Sequence, residues 1–198
     1  MSMEAFLIST GLVALAEIGD KTQLLAFMLA ARFRRPWPIV AGILVATLAN
    51  HALAGAVGQW LHGVIAPNLL RWVLGLGFIA MAGWMLIPDK LDESETTTAP
   101  RLGVFGATVV AFFLAEMGDK TQVATVALAA QYQAMIAVVA GTTLGMMLAN
   151  VPAVLLGHQF AHRIPVKWVH AAAAAILLAL GVATLLGAGD RLGDGWLK

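Results

Sequence analysis

The residues best suited to chemistry in this sequence are Glu17, Asp20 and Lys21, because their arrangement occurs twice. They belong to Leu15-Ala16-Glu17-Ile18-Gly19-Asp20-Lys21-Thr22-Gln23, which returns 99 positions later as Leu114-Ala115-Glu116-Met117-Gly118-Asp119-Lys120-Thr121-Gln122. Only Ile18 and Met117 differ between the copies. Both copies interrupt long apolar runs. A charged side chain facing lipid at a helix centre costs roughly 2.5–3.5 kcal/mol, so the six together would cost on the order of 15–20 kcal/mol. Such residues must face one another or a polar interior. On a continuous helix, Glu17 and Asp20 would lie about 60° apart, with Lys21 about 40° to the other side of Glu17. Glu116, Asp119 and Lys120 repeat that face. Two such faces brought together form a cage of hard oxygens of the kind Ca2+, Mn2+ or Mg2+ prefers. The two lysines reduce the formal charge from −4 to −2, which matches one divalent cation or two protons. Exchange of a divalent ion for protons is the chemistry this charge balance favours. The alternative for the same residues is a structural ion-pair network.

Other residues could support the cage. Gly19 and Gly118 lie almost opposite Glu17 and Glu116, where each either breaks its helix and frees backbone carbonyls or lets a neighbouring helix approach. Asn50 and Asn150 fall in the second apolar segment of each half, inside the repeated Leu-Ala-Asn. Their amide oxygens could complete a cation shell, and the competing reading is an interhelical hydrogen bond. Thr22, Thr121, Gln23 and Gln122 read as outer partners or polar glue. His51 follows Asn50, but Val151 stands at the matching place, which argues against a symmetric histidine pair. His158 reads as a packed residue or a proton carrier. His62, His162 and His170 read as interfacial, and Met146-Met147 as packing.

The elements that must carry these residues follow from composition. Of 198 residues, 60% are hydrophobic and 12% charged, too apolar for a water-soluble domain of this size. There is no cysteine, so thiolate metal sites and disulfides are excluded, and no basic cluster points to nucleic acid. The expected fold class is an all-α polytopic membrane protein whose partner is the lipid bilayer. Six segments are long enough to span it, near 4–31, 38–61, 68–88, 102–130, 134–161 and 166–187. The polar stretch 89–101 reads as a cytoplasmic linker between two three-helix repeats, 1–88 and 102–198. Three helices per repeat make the second copy enter from the opposite side, an inverted repeat with its site near the midplane. Arg32, Arg34, Arg35, Lys90, Arg101, Arg163 and Lys167 gather on one side against Arg71, Arg191 and Lys198 on the other. The first side is then cytoplasmic and both termini lie outside. The N-terminus lacks the basic region of a signal peptide, so the first helix is expected to be retained. The sequence leaves the oligomeric state open, including a homo-oligomer.

The doubled Glu-x-Gly-Asp-Lys-Thr motif, on the first and fourth of six segments, resembles a family of small cation/proton exchangers. That family includes the Golgi manganese/calcium transporters of yeast and humans and the MneA-type bacterial manganese exporters. The resemblance covers essentially the whole chain, and both motif copies are intact. It implies a transporter rather than an enzyme, with no cofactor, exporting Mn2+ or Ca2+ from the cytoplasm in exchange for H+. Carried over by position, Glu17, Asp20, Glu116 and Asp119 would bind the ion, and the bacterial inner membrane would be the location. Two readings compete. One is a passive cation channel. The other is an intramembrane aspartyl hydrolase using Asp20 and Asp119, where two carboxyls would share a proton.

Overall fold

The computed structural model describes residues 2–87, 102–156 and 166–187, all helical apart from short turns. The linker 89–101, His158 and His162 lie outside the described residues. Among the described residues, eight helices follow one another: α1 (Ser2–Glu17), α2 (Lys21–Phe33), α3 (Pro36–Val64), α4 (Pro67–Met85), α5 (Gly103–Glu116), α6 (Lys120–Tyr132), α7 (Met135–Leu156) and α8 (Val166–Leu185). Four of them, α3, α4, α7 and α8, are long and apolar enough to cross a membrane. The pair α1 and α2 makes a fifth span if its 67° bend is counted as one crossing.

This corrects the expectation of continuous helices over 4–31 and 102–130. Each of those segments is two helices, interrupted inside its motif. The cause is local: Gly19 has φ 83° and Gly118 φ 76°, left-handed values that a helix cannot continue through and that glycine adopts without a Cβ clash. The next residue, Asp20 or Asp119, is extended and caps the following helix. The helix-wheel separation of Glu17 and Asp20 therefore does not apply. The remaining boundaries follow proline and turn chemistry. Pro36 and Pro67 open α3 and α4, where a missing N–H costs nothing. Arg34 and Gln133 turn the chain out of α2 and α6 in the left-handed region, each donating its N–H to a carbonyl of the last helical turn.

The helices cross-brace the two halves. Along α1 and α7, Gly141 sits on Phe6 and Ser9, and Gly145 on Thr10, Val13 and Ala14, so the two helices run parallel. Gly42 meets Phe105 and Thr108 on α5, and Asn50 reaches Phe113, so α3 and α5 also run parallel. Gly75 on α4 meets Gly181 and Leu185 on α8, while Gly181 meets Ile79, so that pair is antiparallel. Small residues at these seams let backbones approach closely, the usual basis of helix association in lipid. Leu44, Leu48, Leu53 and Val57 of α3 face outward, and Trp37, Trp60 and Trp168 are exposed near helix ends. This is the surface of a multi-pass membrane protein with aromatic anchors at its interfaces.

Gly58 tests the packing account, because a Cβ there would lie 2.2 Å from the Val126 carbonyl oxygen. Gly58→Val should destabilise the protein by about 1–3 kcal/mol or more through overpacking. Gly77→Ala, with nothing within 4 Å, should be neutral or slightly stabilising. Thermal unfolding in detergent reads both, and an unchanged midpoint for Gly58→Val would contradict the seam.

Candidate cation site

The two helix breaks bring the motif acids together. Glu17 ends α1, Asp20 caps α2 and Asp119 caps α6, and these three offer carboxylate oxygens that all lie within 4.8 Å of one another. All three are buried, Glu17 completely. At that spacing and an effective dielectric of about 20, each ionised pair repels by about 3–4 kcal/mol, or about 10 kcal/mol for three pairs. Opposing charge close by must offset that repulsion, and the motif lysines, a bound cation or protons are the candidates for it.

Each break is held by the motif itself. The Gly19 N–H donates to Gln23 Oε1 at 3.0 Å, and the Gly118 N–H to Gln122 Oε1 at 2.7 Å. The Asp20 and Asp119 N–H groups close tight turns on the carbonyls of Glu17 and Glu116, at 3.2 and 3.1 Å. The first-turn N–H groups of α2 and α6 open beside these acids, adding the partial positive charge of a helix N-terminus. Of the two readings of the glycines, the break holds at both. Close packing holds at Gly19 as well, where a Cβ would meet Val166, while Gly118 has open space around it.

Glu116 stands outside the three-carboxylate group, although within electrostatic reach of Glu17. Its oxygens accept from the Thr47 hydroxyl at 2.7 Å and the Asn50 amide at 3.3 Å. Asn50 also donates to the Phe113 carbonyl at 3.0 Å and accepts from Gln122 Nε2 at 3.1 Å. Its amide is thus engaged in interhelical hydrogen bonds on both sides.

The other half differs. The Thr22 hydroxyl donates to Glu17 Oε2, while Glu17 Oε1 has no hydrogen-bond partner among the described residues. Gln23 Nε2 donates to the Ala149 carbonyl at 3.0 Å. Asn150 turns its NH2 to the carbonyl and sulfur of Met146, at 3.1 and 2.9 Å, and its Oδ1 is likewise without a partner. The parallel register of α1 and α7 sets residue 149 level with residue 17, so Asn150 lies at the level of Glu17 along the bundle. Equivalent positions in the sequence carry different jobs here.

The lysines also diverge. Lys120 is buried and donates from Nζ to the Ile87 carbonyl. Lys21 lies within electrostatic reach of Glu116. Thr121 donates to Asp119 Oδ2 at 3.3 Å. Two partners escaped sequence reasoning. Thr47 has Met147 at the matching position, so the repeat gave no signal for it. His170, read as interfacial, is buried and donates from Nε2 to the Ile18 carbonyl at 2.8 Å, capping a group that the break releases. His62 donates from Nδ1 to the Ala130 carbonyl at 3.0 Å.

Comparison with known proteins identifies the family. The pattern of the family described as "Divalent cation/proton antiporter GDT1" matches residues 5–93 and 104–191, one stretch in each half. A Vibrio cholerae protein named "Putative manganese exporter" is 51% identical over 183 residues, covering 92% of this chain and 90% of its own. A GDT1-like protein of Synechocystis is 32% identical over 185 residues, covering 84% of this chain and 89% of its own. GDT1-like protein 5 of Arabidopsis thaliana is 27% identical over 226 residues, covering 93% and 96%. No solved structure matches the chain. With nearly the whole length matched, the chain belongs to the GDT1 family of divalent cation/proton antiporters, which are transporters and not enzymes.

Proposed function

We propose that this protein carries Mn2+ out of the cytoplasm in exchange for protons, holding the ion between Glu17, Asp20 and Asp119. The observation that carries the reading is the meeting of these three buried carboxylates from both motif copies at two helix breaks. Asn150 Oδ1 supplies a fourth oxygen, and Glu116, held by Thr47 and Asn50, is the reserve acid beside the site. All of these ligands are hard oxygens, which Mn2+ and Ca2+ both accept. The Vibrio cholerae relative's name favours Mn2+, and Ca2+ is the competing cargo. A passive channel and a hydrolase built on Asp20 and Asp119 both fit an antiporter family less well.

The two halves act as inverted repeats that rock about this site. Support comes from helix direction. Because α6 turns back into α7 through two residues and α3 runs with α5 and α6, α3 and α7 are antiparallel. Since α1 follows α7 and α5 follows α3, α1 and α5 then run in opposite directions. Discontinuous helices meeting near the midplane at a repeat interface are how many secondary transporters build their ion sites. The basic turn Arg32, Arg34 and Arg35 faces the cytoplasm of a bacterial plasma membrane. Protons entering from outside compete for the same oxygens and release the ion there.

Glu17→Gln and Asp119→Asn should each abolish Mn2+ flux driven by a pH gradient in proteoliposomes while leaving the far-ultraviolet helical signal intact. Near-normal flux in either variant would remove that acid from the site, and flux indifferent to the gradient would favour a channel. The asymmetry gives a second outcome. Asn150→Leu should weaken Mn2+ binding by about tenfold, a change of about 1.4 kcal/mol, with little change in stability. Asn50→Leu should lower stability by about 1–3 kcal/mol, because it strands Gln122 and Glu116. Calorimetric Mn2+ titration and thermal unfolding separate the two, and equal effects would contradict the division.

A further inference from the structure

His51 is left unused by the cation site. It is completely buried in α3, and neither ring nitrogen has a hydrogen-bond partner among the described residues. A neutral imidazole carries one donor and one acceptor nitrogen, and a protein interior rarely leaves both unmet.

Register identifies what it faces. Gly58 lies against Val126 and Ala129, and Asn50 against Gln122, so α3 runs along α6 and therefore antiparallel to α7. Gly55 rests on Val139 and Met135. One turn back along α3 is His51, and one turn on along α7 is Thr143. Thr143 is buried, and its hydroxyl also lacks a partner. Ser9, completely buried, packs its Cβ 3.1 Å from where a Cβ on Gly141 would be, and its hydroxyl is unmatched too. Three unmatched polar atoms, two of His51 and one of Thr143, therefore fall at facing positions of this seam, with Ser9 at the same level across α7.

We propose that His51 and Thr143 hold ordered water within the α3–α7 seam, at the level of Ser9. The donor set decides the occupant. It consists of an imidazole and a hydroxyl with no carboxylate, so a divalent cation here would be buried without compensating charge. Water offers both donors and acceptors and makes two to four bonds when buried. Thr47 lies one turn from His51 on the same face of α3, and its hydroxyl donates to Glu116. The water site thus extends the hydrogen-bonded chain from Glu116 into the bundle. Val151 at the matching position confines it to one half. Its use as a proton route rests on the exchange proposed above; the hydration does not.

Radiolytic labelling tests it, because hydroxyl radicals born from bound water modify adjacent side chains even where bulk solvent does not reach. Full-length protein in nanodiscs is pulsed with X-rays in 18O-water and digested for mass spectrometry. The His51 rate, corrected for intrinsic reactivity, should exceed that of the fully buried Phe78 and Phe112 by on the order of tenfold. It should fall several-fold in Thr143→Val and stay unchanged in saturating Mn2+. A His51 rate equal to that of the two phenylalanines would overturn the assignment, as would strong protection by Mn2+, which would make the occupant the ion. No transport is needed for this readout, so loss of the exchanger reading would leave it standing.

Discussion

Three carboxylates held within 4.8 Å of one another, inside a bundle with an apolar exterior, are the constraint on which this structure depends. In low dielectric their repulsion cannot be screened as it would be at a surface, so the arrangement is stable only with opposing charge close by. Partial charge comes from the N-termini of α2 and α6, full charge from the motif lysines, and, in the exchanger proposed here, from a cation or protons. A site that alternates between those two occupants is what an exchanger needs, since each must be able to displace the other.

The helix breaks are the means by which a 198-residue chain builds such a site. A continuous helix would place Glu and Asp on its side, at the level of neighbouring side chains. Ending the helix at Glu and restarting it after Asp instead turns backbone ends toward the centre. The freed groups are not left exposed to lipid. Gln23 and Gln122 take the glycine N–H groups, and His170 takes the Ile18 carbonyl. Those side chains substitute for the water that a soluble protein would use at a helix end.

Much of this was legible in the sequence. The duplicated motif named the acids, the apolar runs named the helical class, and the prolines set several helix starts. The break at Gly19 and Gly118 was only one of two readings, because glycine in a membrane helix serves packing as often as turning. The asymmetry of the site could not be read at all. Asn50 and Asn150 are identical in the repeat, yet Met147 stands at the position that matches Thr47, and that difference goes with Glu116 being held while Asn150 Oδ1 stays open. Partners such as His170, 152 positions from Ile18, depend on tertiary packing that no local pattern encodes.

The central claim is that the cargo sits among Glu17, Asp20 and Asp119 rather than symmetrically among four acids. Anomalous scattering at the manganese edge from crystals grown with Mn2+ tests it most directly. The account predicts a single peak about 2.2 Å from oxygens of those three residues, with Asn150 adjacent and Glu116 still bonded to Thr47. A peak centred on Glu116 and Asn50, or one equidistant from both glutamates, would contradict it.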